Sequence, residues 1–122
     1  MKIGELNQII LFIQDMTASV AFYRDKLGLK AVYPEGDFDP ARTQWVVFDT
    51  GCCKVALRVG GRKRLGDDSP KLSFRVPSVK AAREELIGRG VEMLSIRPIE
   101  AGLFISSGTD PDGNRFSVEG GL

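Results

Sequence analysis

The sequence predicts an α+β fold: a single domain, 1–122, of two βαβββ modules, 1–61 and 68–122, whose curved mixed sheets form a ligand cup. Three observations predict it. The order strand–helix–strand–strand–strand can be read twice with a period of roughly 60 residues, the mark of an internal duplication. Each predicted helix follows a capping residue and stops at a glycine. Composition, 43% hydrophobic and 27% charged over 122 residues, is that of a globular chain long enough for one real core.

The elements follow in order. Residues 6–14, LNQIILFIQ, are apolar on both faces and read as a central strand, with Gln8 the polar exception. Asp15 suits an N-cap. In MTASVAFYRDKL, Val20, Phe22, Tyr23 and Leu27 predict a helix over 16–27, with Gly28 and Leu29 in the two positions that end it. KAVY, a Pro/Gly/Asp loop over 34–42, TQWVVFD, a turn near Gly51 and KVALRV complete the first module. In the second, KLSFRV alternates strictly, Ser78 caps a helix over 79–90 stopped at Gly90, and VEMLSI, GLFISS and NRFSVE are read as three strands. The turn in DPDGNRFSVE sets the register of the last strand, so its terminal acid, Glu119, faces the cup rather than fraying into solvent.

Charge excludes several classes. Residues 1–61 carry seven Lys/Arg and seven Asp/Glu, and residues 62–122 ten and nine, so neither half is a nucleic-acid tail. The basic cluster in GRKRLGDD is followed at once by two acids and reads as a solvated loop. No apolar run approaches the ~18 residues of a membrane span, and MKIGELNQ has no apolar leader segment. A cytoplasmic location is expected, with no nucleic-acid or membrane partner. Cys52 and Cys53 are read as reduced thiols pointing to opposite sides of a strand, one half-buried; a soft metal or an arsenical is the other reading of such a pair. Histidine is absent, which removes the usual zinc, iron or nickel ligand set and any imidazole triad.

The stretches QIILFIQDMTASVAFYRDKLGLK, KLSFRVPSVKAAREELIGRGVE and DPDGNRFSVE together cover most of the chain. In them the chain resembles the vicinal oxygen chelate superfamily of glyoxalase I, bleomycin-resistance proteins and extradiol dioxygenases. The resemblance implies paired βαβββ modules, a homodimer and a ligand cup. It also implies that metal-dependent members hold one divalent ion at positions matching Gln8, Ala56, Lys71 and Glu119. Here Gln8 and Glu119 keep an oxygen donor, Ala56 has none, and Lys71 brings an ammonium that repels a cation. No metal cofactor is therefore expected; the alternative is one divalent ion on Gln8 and Glu119.

Alternation assigns the remaining cup residues. Gln8, Ile10 and Phe12 share a face of the first strand; Arg58, Lys71, Ser73, Arg75, Ser117 and Glu119 face the cup from the others, with Arg115 near the rim. Lys71 and Glu119 are expected to form an ion pair in the place of the metal, or else to reach solvent separately. They are also the candidate catalytic residues for acid–base work. Trp45 and Phe38 are read as stacking on the ligand; for Trp45 a core or interface role, and for Phe38 a loop anchor, are the other readings. The function so predicted is metal-independent binding of a small, partly apolar, anionic ligand. The alternative is a lyase, isomerase or dioxygenase of the same superfamily using Glu119 and Gln8. A regulatory module with a vestigial cup has no positive feature behind it.

Overall fold

The computed structural model describes residues 1–61 and 69–122. The GRKRLGDD cluster, read above as a solvated loop, falls largely outside the described residues. Contacts divide the chain into two compact units, Met1–Lys63 and Arg64–Leu122, each with one four-stranded mixed sheet. No described helix is long and apolar enough to cross a membrane.

In the first unit, β1 (Gln8–Ile13) leads to α1 (Met16–Val20). Asp15 caps α1 by accepting the Ala18 N–H at 3.1 Å. The expected single helix over 16–27 is not uniform: from Ala21 to Lys26 it widens into π-helical turns, and the Leu27 N–H reaches the Phe22 carbonyl five residues back at 2.9 Å. Nothing in the apolar spacing signals that change. The helical segment buries Val20, Phe22 and Tyr23; the two rings meet edge to face at 5.0 Å, and Tyr23 lies 6.0 Å from the Phe48 ring. Then come β2 (Lys30–Tyr33), a 3₁₀ turn (Pro40–Arg42), β3 (Trp45–Asp49) and β4 (Lys54–Val59).

The sheet order is β1-β4-β3-β2, with β1 parallel to β4 and the other pairs antiparallel. Within its unit β1 is thus an edge strand, where two apolar faces had predicted a central one. One face of β1 does pack, with Ile13 fully buried, while Ile10 and Phe12 on the other face remain exposed.

The second unit repeats the plan with β5 (Leu72–Arg75), α2 (Val79–Gly88), β6 (Arg97–Glu100), β7 (Leu103–Thr109) and β8 (Arg115–Gly120), in the order β5-β8-β7-β6. Ser78 caps α2 through Ala81 N–H at 3.1 Å, and α2 packs on β7 and β8. The expected strand over 91–96 is not formed. Met93 makes only an isolated bridge to Gly108, while the Leu94 carbonyl accepts from the Ser106 hydroxyl (2.8 Å) and the Arg83 guanidinium (3.0 Å). These side-chain bonds and one backbone bond, from Leu94 N–H to the Ser107 carbonyl (2.8 Å), hold that segment, and the regular ladder begins later, at Arg97. Pro98 is tolerated there because β6 is an edge strand.

The core of each unit is the helix-facing side of its sheet: Val46, Phe48, Val55 and Leu57 in the first, Leu72, Phe116 and Val118 in the second, all buried. Between β7 and β8, the buried Asp110 carboxylate accepts the backbone N–H groups of Asp112 (2.9 Å) and Asn114 (2.8 Å) and the Asn114 side-chain amide (2.8 Å). The DPDGN turn is built on that one carboxylate, so Asp110 organises backbone.

Candidate functional site

In each unit the helix covers one face of the sheet, and the other face carries the residues of interest. On the first sheet, pairing puts three rows across that face. Gln8, Lys54, Asp49 and Lys30 form one; Ile10, Ala56, Val47 and Tyr33 the next; Phe12, Arg58 and Trp45 the third. Gln8, Ile10, Phe12, Trp45 and Arg58 thus share one face, as alternation predicts. Ala56 and Val47 are buried in its floor, Trp45 is half-buried, and Ile10 and Phe12 are 44% and 42% exposed. Lys54 shares it too, as alternation in KVALRV implies; Val47 and Tyr33 were missed as members of the face. In WVVFD the run Val46–Val47–Phe48 hides its own alternation, and only pairing with KVALRV reveals which valine is which. Phe38 is half-buried in the loop before the 3₁₀ turn.

At the end of this sheet lies a pocket of about 220 Å³ lined by Glu5, Asn7, Asp49, Cys53 and Lys54 among others. Cys52 and Cys53 are free thiols, the first exposed and the second half-buried. They lie in the bend before β4 rather than on a strand, so strand alternation does not set their directions. The Thr50 hydroxyl holds that bend by donating to the Cys53 carbonyl, and Asp49 holds it by accepting from Gly51 N–H at 2.9 Å. Among the described residues no group of three or more Cys, Asp or Glu is placed to hold a metal ion.

On the second sheet, Ser73, Ser117 and Ser107 form one row and Arg75, Glu119 and Ile105 the next. Ser117 is fully buried, and its hydroxyl is 3.0 Å from that of Ser73. It supports Ser73, which is exposed, and does not itself open to a ligand. Ser107 was missed, because GLFISS presents two adjacent serines with no sign of which one faces outward. Arg115 is half-buried.

The expected Lys71–Glu119 ion pair does not form. The parallel register sets Arg75 opposite Glu119, whereas Lys71 precedes β5 altogether. Four residues at about 3.3 Å each separate Lys71 from Arg75, so Lys71 lies about 13 Å along the strand from that row. Lys71 is exposed, Glu119 half-buried, and neither side chain has an ion pair or hydrogen bond among the described residues. The two cannot act as one proton-transfer couple in this geometry. Lys71→Met is therefore expected to leave stability within ~0.5 kcal/mol of the parent in urea denaturation, as for other exposed substitutions. A loss above ~1 kcal/mol would reveal a partner for Lys71.

The family model for the Glyoxalase/Bleomycin resistance protein/Dioxygenase superfamily matches residues 5–118. The chain belongs to this superfamily. Solved structures agree at the level of the fold. The superfamily member is similar to an integron cassette protein from V. cholerae (25% identity, 98% of this chain and 96% of that one, TM-score 0.69). It is similar to TnmS3, an antibiotic-binding protein from Streptomyces sp. CB03234 (18%, 100% and 99%, 0.79). It is also similar to a lactoylglutathione lyase from Agrobacterium tumefaciens (20%, 97% and 94%, 0.74). No curated protein matches the chain.

The residues at the superfamily's metal positions do not fit a divalent ion. In the first unit Ala56 is buried and has no donor atom, leaving Gln8 alone. In the second, Lys71 is a cation lying well along the strand from Glu119. One neutral amide in one unit and one carboxylate in the other are a poor donor set for a transition metal.

Proposed function

We propose that this superfamily member is a metal-independent binding protein for a small, partly apolar, anionic molecule, acting as a homodimer in the cytoplasm. The observation that carries the reading is the uncovered face of the first sheet. There, exposed Ile10 and Phe12 border a floor of buried Ala56 and Val47, with Arg58 beside them. Apolar groups around a few polar ones are the usual lining of a small-molecule site. Two free thiols suit a reducing compartment. The fold accommodates both an antibiotic-binding protein and a lyase, so the choice between binding and catalysis rests on side chains.

One observation favours a second reading. The half-buried Glu119 carboxylate has no side-chain partner among the described residues and stands opposite Arg75. A carboxylate so placed could serve as a general base. Metal analysis of protein purified without chelators separates the readings. Metal well below one ion per chain is expected, together with ligand-induced thermal stabilisation that added nickel, zinc or iron does not alter. Stoichiometric metal would overturn the proposal.

A further inference from the structure

The third row of the first sheet names the chemistry of the ligand. Phe12, Arg58 and Trp45 sit on β1, β4 and β3 in direct register, so an arginine occupies the middle position of a row with an aromatic residue on either side. Strands are about 4.8 Å apart, which places the Phe12 and Trp45 backbones about 10 Å from each other. Two aromatic side chains at that span leave room for one flat ring, since carbon surfaces in contact are ~3.5–4 Å apart.

Three features prepare the row. First, Phe12 is held: Gly61, with φ of +75°, crosses so close that a Cβ there would lie 2.8 Å from the Phe12 ring. A side chain at Gly61 would move the ring, and the left-handed backbone also disfavours one. Second, Arg58 is exposed and has no ion pair, hydrogen bond or ring contact among the described residues. Third, no acid lies in the row. Asp49, the acid on this face, is two rows away on β3, is flanked by Lys54 and Lys30, and accepts the Gly51 N–H. The row thus offers a planar cation with no partner among the described residues, flanked by two aromatic residues, and a carboxylate meets a guanidinium with two parallel charge-assisted hydrogen bonds.

We infer that the Phe12–Arg58–Trp45 row binds a flat aromatic carboxylate, its ring between Phe12 and Trp45 and its carboxylate on Arg58. This rests on the binding-protein reading above and adds to it the class of ligand and the row that selects it. A neutral ring would leave Arg58 unpaired beneath it, and an aromatic cation would be repelled.

Trp45 is the single tryptophan of the chain, so its indole N–H gives one assignable NMR signal from the ligand row. The probes are 2-naphthoate, naphthalene-2-methanol and 2-naphthylmethylamine, titrated into the full chain by calorimetry and NMR. Naphthoate is expected to shift the Trp45 signal saturably and to bind at least ~10-fold more tightly than the alcohol, with the amine weakest. Arg58→Met should weaken naphthoate by roughly 10- to 100-fold and leave the alcohol unchanged. The charge-matched control Lys80→Met, on the exposed face of α2, should change neither. Equal affinity for naphthoate and the alcohol, or an Arg58→Met variant that binds naphthoate like the parent, would overturn this inference and leave the binding-protein reading standing. Failure of all three probes, together with stoichiometric metal in the purified protein, would overturn that reading itself. Failure of all three in metal-free protein would overturn the aromatic-anion assignment alone.

Discussion

Gly120→Ala is expected to lower the stability of the chain by about 3 kcal/mol or more, at the top of the range for overpacking a closed site. β8 ends by passing beside the turn that follows β5. A Cβ at Gly120 would lie 2.1 Å from the Val76 carbonyl oxygen, closer than any real contact. The obstacle is backbone, so no rotamer change relieves it. The two segments are also tied there: Val76 N–H donates to the Glu119 carbonyl at 2.9 Å, and Val79 N–H to the Gly121 carbonyl at 2.9 Å. Accommodating the methyl means parting β5 from β8, which moves Glu119 away from Arg75. Urea denaturation checks this against Gly88→Ala, where a Cβ meets nothing within 4 Å and stability should hold or rise by up to ~1 kcal/mol. Equal midpoints for Gly120→Ala and the parent would show that this close approach does not exist in solution.

Asp110→Ala should cost about 2–3 kcal/mol. Its carboxylate accepts three hydrogen bonds while only 4% exposed. Bonds to a charged group contribute about 1.5–3 kcal/mol each, and water recovers part of that once the turn opens. Asp110→Asn keeps an acceptor oxygen and should retain part of the loss. Both are measured by urea midpoints, with amide exchange on β7 and β8 reporting whether the hairpin loosens locally. If Asp110→Ala matches the parent, backbone pairing alone holds the hairpin.

Strand parity was legible. Leu72, Phe116, Val55 and Leu57 are buried, as alternation in KLSFRV, NRFSVE and KVALRV requires, and Gln8, Ile10, Phe12 and Arg58 share the opposite face. Position along a strand was not. Parity says that Lys71 and Glu119 share a face, but in a parallel pair nothing local sets the offset between strands, and the register chose Arg75 as the neighbour. A different limit, the loss of alternation itself, hid Val47 and Ser107, whose apolar or doubled neighbours carry no period. The edge position of β1 was misread because QIILFI has two apolar faces for two different reasons: one meets the helix, the other forms the candidate ligand face. The region after α2 was misread because VEMLSI has the composition of a strand, yet its carbonyls are taken by Arg83 and Ser106.

The parallel pairing of first and fourth strands has a consequence for how the chain is made. β1 joins β4 across 46 residues, and β5 joins β8 across 44. Neither outer strand can find its partner locally, so each waits on the ribosome until the rest of its unit has emerged. During that interval QIILFI is an apolar strand with both edges unpaired, the kind of segment that invites association between nascent chains. Each unit is thereby committed to fold late and as a whole, and slowed translation between β1 and β4 would raise the burden on chaperones more than the same delay after β4.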